Sequence, residues 1–400
     1  MGAGGGMKRT VKKPLTRLGP RPIHPLPQGE RGASVQVVTQ CLPSPLVGEG
    51  AGRADEGLRS IKTVDGLVAT GLAQFSAKLE TVAEKYAISI TPAVLALIDP
   101  NDPNDPIARQ YVPSPQELVT TPDERADPIG DLAHSSVEGI VHRYPDRVLL
   151  KAVHVCPVYC RFCFRREMVG PQGLGTLTAD ELDAAMAYIA GHEQIWEVIL
   201  TGGDPLVLSP RRLRAIMERL AAIAHVKVVR FHTRVPVVEP ERIDADMVDA
   251  LRASGKTTYL AVHANHPREL TGAAQAAFST LIAGGVALIS QSVLLKGVND
   301  NVETLAALMR GFVENRIRPY YLHHPDLAPG TSHFRVSIED GQALVSALRG
   351  RISGLCQPTY VLDIPGGYGK ADIGAAAIVG ADGCFTVRDW QGGEHLYPPA

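Results

Sequence analysis

The chain has 400 residues, of which 45% are hydrophobic and 20% are charged, and its formal net charge is -2 at pH 7. This balance is typical of a globular protein with a large core, and it gives no electrostatic reason to expect nucleic acid or a membrane surface as a partner. No apolar run approaches the roughly 18 residues of a membrane span, and no apolar signal core follows the basic N-terminus, so we expect a cytoplasmic protein.

Residues 1–60 differ in composition from the rest of the chain. They are rich in Gly, Pro and Arg, as in HPLPQGERGA (24–33), and show little periodicity. Such a segment buries too little apolar surface to offset the entropy of ordering it, so we predict that it is disordered. A transit peptide is the alternative, although the Pro and Gly density disfavours the amphipathic helix of such peptides. The segment also resembles translated intergenic repeats, which suggests that the true start lies later in the chain.

A helical pattern at 67–86 opens the next part of the chain, and Pro-rich connections follow to about residue 135. Beyond these, strand-like and helix-like segments alternate. The strand-like runs are 147–155, 196–203, 226–235, 257–264, 286–295 and 318–324, and the helix candidates include 178–193, 211–224 and 301–316. Six β-then-α repeats indicate a parallel sheet with helical crossovers, either doubly wound or a partial barrel. In both folds, ligands collect at the carboxyl ends of the strands.

Three of the six cysteines crowd onto one short loop directly after the first strand of this repeat, namely Cys156, Cys160 and Cys163. Three thiolates in a CxxxCxxC spacing can hold three irons of a cubane cluster, whereas electron-transfer clusters usually use four cysteines. The missing fourth ligand leaves one iron open to a small molecule. A structural zinc site is the alternative, but it requires four ligands, and the other cysteines are remote in sequence, although His154 lies nearby.

The CxxxCxxC loop and a later Gly-Gly-Asp-Pro turn resemble the radical S-adenosylmethionine superfamily, and further motifs in order and register resemble the lysine 2,3-aminomutase family within it. These motifs are HRYPDRVLL (142–150), CRFCFRRE (160–167), LTGGDPL (200–206), TRVPVVEPERI (233–243), QSVLLKGVND (291–300), RPYYLHHPDLAPGTSHFR (318–335) and DIPGGYGK (363–370). The resemblance covers roughly residues 70–390. It implies an α/β fold: a partial (β/α)6 TIM-type barrel at 141–335, after a helical region at 61–140 and before a small segment at 336–400 that binds pyridoxal phosphate.

The resemblance implies three cofactors: a [4Fe–4S] cluster on the three clustered cysteines, S-adenosylmethionine chelated to its open iron, and pyridoxal phosphate. Lys370 matches the lysine that carries the pyridoxal phosphate. Alone, a lysine in a glycine-rich loop is an ordinary surface residue, so this role depends on the family match. The other positions implied to contact cofactors are Gly202, Gly203 and Asp204 for S-adenosylmethionine, Arg143 and Arg147 for the phosphate, and Gln291 and His263 near the cofactors.

The same resemblance assigns three charged residues to an amino-acid substrate, with lysine favoured. Arg165 matches the residue that binds the substrate carboxylate, and Asp326 and Asp363 match the carboxylates that receive the ε-ammonium. A buried ammonium needs such partners. We expect two ionised carboxylates to leave excess negative charge in the empty site and so to repel glutamate. The implied activity is an isomerase reaction that moves the 2-amino group of L-lysine to C3, with an external reductant such as flavodoxin or ferredoxin.

The C-terminus departs from the well-known family members, because only Cys384 lies beyond Lys370. We therefore expect the family's C-terminal zinc site to be absent, so that any homo-oligomer would form without it. Three alternatives stay open: a β-lysine-forming enzyme that serves the modification of translation elongation factor P, an aminomutase of another amino acid, and a binding protein on the same fold that has lost its chemistry. The complete cysteine set and Lys370 argue against the last.

Overall fold

The computed structural model describes Met1 and residues 60–169, 175–381, 384–389 and 391–397. The chain divides into two compact units, Met1–Glu56 and Gly57–Ala400, and the architecture below is that of the second. The predicted disorder of residues 1–60 falls almost entirely outside the described residues. No helix in the described ranges is long and apolar enough to cross a membrane.

Nine strands form one sheet whose spatial order follows the chain. They are β1 Ile140–Tyr144, β2 Arg147–Val153, β3 Glu197–Gly202, β4 Val228–Thr233, β5 Thr257–His263, β6 Ala287–Val293, β7 Arg318–His323, β8 Thr359–Ile364 and β9 Gly369–Asp372. Strands β2 to β8 pair in parallel, and β1 and β9 pair antiparallel at the two edges. A doubly wound sheet would reverse its strand order at a switch point. This sheet does not, so the partial-barrel prediction is confirmed, with β2 to β7 as its six predicted strands.

Helices connect the consecutive parallel strands. The α-helices in the described residues are α1 Val64–Ala69, α2 Ala77–Lys85, α3 Pro92–Leu95, α4 Pro106–Tyr111, α5 Ala179–Ala190, α6 Pro210–Ala221, α7 Val235–Val238, α8 Ala245–Arg252, α9 Gly272–Ala283, α10 Val302–Glu314 and α11 Ile338–Leu348. Helix α6 shows why they pack on the sheet: Leu213, Ile216, Met217 and Leu220 recur at helical spacing, and all four are buried. The predicted helices at 178–193, 211–224 and 301–316 correspond to α5, α6 and α10.

The predicted helix at 67–86 is two helices, α1 and α2, and the prediction of a single one is wrong. Helix α1 ends at Ala69, and Gly71, two residues later, has a φ of +73°, in the left-handed region where glycine commonly stops a helix. Helix α2 begins after Ser76, whose side chain accepts a hydrogen bond from the Leu79 backbone N–H. The apolar periodicity runs through both segments, but the local stop and start signals interrupt it.

The chain beyond residue 335 adds two strands to the barrel sheet. Strand β8 pairs in parallel with β7, and β9 pairs antiparallel with β8 in a register that sets Lys370 opposite Asp363. A separate antiparallel sheet follows, formed by β10 Ile378–Ala381, β11 Cys384–Arg388 and β12 Glu394–Tyr397. The sheet therefore continues past the predicted boundary at 335 and brings Lys370 to the barrel.

Candidate active site

The loop after β2 carries the three predicted cluster cysteines as free thiols. Burial raises the pKa of all three thiols, to about 11 for Cys160. At Cys160 the Arg234 guanidinium opposes this shift, since its Nη1 lies 3.5 Å from Sγ. A metal that replaces the proton converts a buried thiol to a thiolate, and a neighbouring guanidinium stabilises the negative charge. The donor set therefore fits an iron–sulfur cluster.

Within the described ranges, no group of three His, Cys, Asp or Glu side chains lies close enough together to hold a single metal ion. A structural zinc ion needs four ligands at about 2.0–2.3 Å from one centre. A cubane cluster binds each cysteine to a different iron, so its thiols stand further apart. The loop supplies three thiols, one fewer than the ligands that a structural zinc ion needs.

A buried ion-pair network that sequence reasoning missed holds this loop in place. Arg161 and Arg166, on either side of Cys163, both pair with Glu117, and the Arg161 Nη2 to Glu117 Oε2 distance is 2.5 Å. The three side chains are at most 1% exposed. Removing one partner of such a network leaves a buried charge unpaired, so the network fixes the loop geometry. The local motif contains both arginines, but Glu117 lies 44 residues before Arg161, in a capping box whose sequence does not indicate the arginine partners.

Gly202 and Gly203 end β3 against the backbone that leads into the cysteine loop. A Cβ on Gly202 would lie 2.4 Å from the Val153 carbonyl oxygen, and one on Gly203 would lie 2.2 Å from that of Val155. The φ of Gly202 is +115°, which also requires glycine. Both glycines are therefore needed to seat the cysteine loop. Their contact with S-adenosylmethionine stays a prediction.

Asp204 joins the ends of β3 and β4. Its carboxylate accepts hydrogen bonds from Thr233 Oγ1 and from the Arg234 backbone N–H, both at 2.7 Å. Burial raises the pKa of Asp204, although these hydrogen bonds oppose the shift. Asp204 therefore fixes the backbone of Arg234, while the Arg234 guanidinium, which touches Cys160, pairs with Glu269 at 2.5 Å.

Two further predicted positions lie side by side, and a third lies apart from them. His263 on β5 and Gln291 on β6 are in contact, with 2.8 Å between Nε2 and Oε1, and burial lowers the pKa of His263 to about 3. Arg147 instead pairs with its neighbour Asp146 at 2.6 Å and lies over the Tyr144 ring at 3.9 Å. Its predicted contact with a phosphate stays a prediction.

Asp131 joins two arginines that were predicted to bind different ligands. Its Oδ1 lies 2.9 Å from Arg143 Nη2, and its Oδ2 lies 2.9 Å from Arg165 Nη2. Burial alone would raise the pKa of Asp131, but the two guanidinium groups hold it below its ordinary value. Arg143 keeps a buried Nε without a partner, which an anionic ligand could satisfy. Sequence reasoning missed Asp131 because it lies in a Pro-rich connection without periodicity.

Lys370 and Asp363 face each other across β9 and β8. The Lys370 Nζ to Asp363 Oδ1 distance is 2.5 Å, and Arg143 Nη1 lies 3.7 Å from the same oxygen. His323 Nδ1 lies 3.4 Å from Oδ2. Burial would raise the pKa of Asp363, but His323 and Lys370 hold it well below its ordinary value. An accessible amine, 27% exposed, beside an arginine with a free N–H fits an aldehyde cofactor that carries a phosphate.

Asp326 follows β7 near this carboxylate. Its burial and the charge of Asp363 raise the pKa of Asp326 to about 8. At neutral pH, Asp326 is therefore mostly protonated, while Asp363 is ionised and pairs with the Lys370 ammonium. Two acids close together do not both ionise readily, so the raised pKa of Asp326 argues against the expectation that the empty site carries two ionised carboxylates.

Residues 150–308 match the family model of the Radical SAM superfamily. An L-lysine 2,3-aminomutase from Clostridium subterminale is 42% identical over 286 residues, which cover 72% of this chain and 68% of that protein. An L-lysine 2,3-aminomutase from Methanococcus maripaludis is 38% identical over 340 residues, 83% of this chain and 78% of the relative. A glutamate 2,3-aminomutase from Clostridioides difficile is 34% identical over 315 residues, 78% of this chain and 74% of the relative.

Proposed function

The chain belongs to the lysine 2,3-aminomutase family, and on that premise we propose that it moves the 2-amino group of L-lysine to C3 to give β-lysine. It is an isomerase of the Radical SAM superfamily, which implies a [4Fe–4S] cluster and S-adenosylmethionine. Pyridoxal phosphate as third cofactor, L-lysine as substrate and an external electron donor such as flavodoxin or ferredoxin are parts of the proposal.

One observation carries the proposal: a continuous set of charged contacts runs from Lys370 to the cysteine loop. Lys370 pairs with Asp363 at 2.5 Å, and Asp363 lies 3.7 Å from Arg143. Asp131 then joins Arg143 to Arg165 at 2.9 Å on each side. Arg165 lies two residues after Cys163. A lysine that would carry one cofactor and a loop that would carry another therefore share one site.

The side chains divide the work of holding an amino acid. Arg165 would bind the carboxylate, Asp326 and Asp363 would receive the ε-ammonium, and the Lys370 amine would hold the cofactor aldehyde and yield it to the substrate amine. When bound, the cluster with S-adenosylmethionine supplies a carbon radical, and pyridoxal phosphate supplies a conjugated system that lets the nitrogen migrate. The barrel contributes orientation and the exclusion of water.

Two carboxylates at one end of the site favour lysine over glutamate. A distal carboxylate of glutamate would meet ionised Asp363, whereas a distal ammonium would pair with it. The ammonium would also lower the pKa of Asp326, so that both acids are ionised in the complex. The charge of the pocket therefore favours the proposed substrate over glutamate, which the name of the glutamate 2,3-aminomutase relative specifies.

The test is anaerobic incubation of the reconstituted protein with S-adenosylmethionine, dithionite and either L-lysine or L-glutamate, followed by chiral chromatography. We expect β-lysine from lysine, little product from glutamate, and none without S-adenosylmethionine. Equal or better turnover of glutamate would overturn the substrate.

The pocket assignment has its own variant. Asp363→Asn should lower kcat/KM for lysine by about a hundredfold or more, because loss of a buried charged partner costs roughly 2–5 kcal/mol. Asp372→Asn, on the same hairpin but exposed, is the matched control and should stay near wild type. Lys370→Ala should abolish the pyridoxal phosphate absorbance, and borohydride should trap the cofactor on Lys370 in wild type.

A further inference from the structure

Lys151 is a buried basic residue to which the proposed function assigns no role. It lies in the middle of β2 and is 4% exposed. Its neighbours Leu150 and Ala152 belong to the apolar core, so Lys151 faces the other side of the strand. Burial, followed by the nearby Arg165 guanidinium, lowers the pKa of Lys151. An amine in such a position is costly unless it serves a partner.

The sheet register sets Lys151 beside the predicted carboxylate-binding arginine. Lys151 is the register partner of Thr201 on β3, so the two side chains project from the same face. Thr201 Oγ1 accepts a hydrogen bond from Arg165 Nη1 at 3.3 Å. Lys151 and Arg165 therefore meet at one residue, at the barrel end where the cysteine loop begins.

Arg165 is not free to bind a substrate by itself. Its Nε and Nη2 already contact Asp131 Oδ2, at 3.2 and 2.9 Å. That edge is the one with which arginine usually binds a carboxylate through two hydrogen bonds. Lys151, by contrast, forms no ion pair within 4.0 Å among the residues that the structure describes. Asp131 therefore occupies one edge of the Arg165 guanidinium, whereas the Lys151 ammonium is available to an anionic ligand.

We infer that Lys151 is a second cation, beside Arg165, for the carboxylate of the amino-acid substrate. The inference rests on the proposed function and adds a residue to its binding site. Arg165 would keep its contact with Asp131, which holds the guanidinium in place, while the Lys151 ammonium supplies the unpaired charge. S-adenosylmethionine also carries a carboxylate. Arg165 is joined through Asp131 and Arg143 to Asp363, which would receive the ε-ammonium of the substrate. We therefore favour the substrate over S-adenosylmethionine as the molecule whose carboxylate Lys151 binds.

The test compares L-lysine with 1,5-diaminopentane, which is lysine without its carboxylate. Binding of each is titrated through the absorbance of the pyridoxal phosphate-loaded protein without reductant. Lys151→Met should raise the Kd of lysine by about tenfold or more, because a charged contact in a buried site is lost. The Kd of 1,5-diaminopentane should change by no more than about twofold. The ratio of the two values is independent of any loss of folded protein.

Two more variants sharpen the result. Lys151→Arg retains the charge and should restore most of the lysine affinity. Lys256→Met is the matched control, because Lys256 also has a pKa lowered by burial but precedes β5 at the opposite end of the parallel strands, where Nζ donates to the Ile223 carbonyl at 2.9 Å. Lys256→Met should leave the Kd of both amines unchanged.

The outcomes separate this inference from the proposed function. If Lys151→Met changes the Kd of neither L-lysine nor 1,5-diaminopentane, or changes both values by the same factor, Lys151 does not bind the substrate carboxylate. If it leaves lysine unchanged but raises the concentration of S-adenosylmethionine needed for reductive cleavage, the carboxylate belongs to that cofactor and the inference fails. If wild-type protein responds to neither amine, the proposed function fails, and the inference fails with it.

Discussion

The Lys370 backbone N–H donates a hydrogen bond to Tyr144 Oη at 2.8 Å, although the two residues lie on opposite edge strands of the nine-stranded sheet. Tyr144 ends β1, and Lys370 lies in β9. The adjoining Gly369 has a φ of +94°, and a Cβ there would lie 2.7 Å from Tyr144 Oη. This contact brings the two edges of the barrel together and fixes the backbone of the proposed cofactor lysine.

Replacing Tyr144 with Phe should loosen Lys370 specifically. The change removes one hydrogen bond and leaves the Lys370 N–H without its partner, at a cost of about 1–3 kcal/mol. We expect Lys370 to capture pyridoxal phosphate more slowly, as measured by absorbance. The melting temperature should fall modestly. Tyr188→Phe is the control, because Tyr188 Oη also forms a hydrogen bond, with His142 Nδ1 at 2.9 Å. Equal capture rates in the two variants would contradict the role of Tyr144.

Asp131→Asn should destabilise the protein in a pH-dependent way. The substitution leaves two guanidinium groups without their shared buried carboxylate, at a cost of about 3–5 kcal/mol at neutral pH. The folded-state pKa of Asp131 is lowered, so the stability that its charge contributes is present above its ordinary pKa of 3.8 and is lost as the pH falls through the folded value. The difference in melting temperature between wild type and variant should therefore be large at pH 7 and shrink toward pH 3.

A surface pair provides the control for Asp131. Asp183 pairs with Arg219 at 2.8 Å, but its side chain is 67% exposed. Such pairs contribute little, so Asp183→Asn should hardly change the melting temperature at any pH. An Asp131→Asn protein as stable as wild type at pH 7 would show that the arginines find other partners.

Asp326→Asn should raise the stability of the protein without substrate. The folded-state pKa of Asp326 is raised to about 8 from an ordinary value of 3.8. Between these values the unfolded carboxyl is ionised and the folded one is protonated, so stability falls as the pH rises through this window. The variant should melt higher than wild type at pH 7.5 and close to it at pH 4. No gain at pH 7.5 would contradict the raised pKa.

The same carboxyl predicts how lysine binding depends on pH. An ammonium binds the ionised form of Asp326, so lysine must displace a proton from it at neutral pH. The Kd of lysine should fall as the pH rises toward about 8, and calorimetry in buffers of different ionisation enthalpy should detect proton release. Asp326→Asn should bind lysine weakly and lose the proton release that arises from this carboxyl.

Cys160→Ala should abolish both the visible absorbance of the cluster and the reductive cleavage of S-adenosylmethionine, because each of the three thiolates would hold one iron. Cys356→Ala is the matched control, since Cys356 is a free thiol that is buried in the apolar core, 4% exposed. It should keep the cluster. A Cys160→Ala protein that still cleaved the cofactor would contradict the assignment of this loop.

Local patterns in the amino-acid sequence were sufficient to predict the repeating β-then-α order and the positions of the cysteine loop and the Gly-Gly-Asp turn. These features are local, because the spacing of apolar residues indicates whether a segment is a strand or a helix. A loop that follows a parallel strand must lie at the carboxyl edge of the sheet. The order of further motifs was sufficient to place Lys370 and Asp363 in one family pattern. Helix boundaries were less certain, because the turn at Gly71 interrupts a periodicity that continues on both sides.

The pairing of the charged side chains could not be predicted from local patterns and became evident only in the folded chain. Asp131 and Glu117 lie in connections without periodicity, and each meets its arginines 12 to 49 residues later in the sequence, on β1 or on the loop after β2. Lys151 reads as a single polar residue in an apolar strand until the register places it at Thr201, beside Arg165. The protonation of Asp326 likewise depends on Asp363, which lies 37 positions later in the sequence and reaches it only when β8 joins the sheet. Electrostatic energies depend on distance and burial in three dimensions, and neither quantity is encoded by the local pattern of residues.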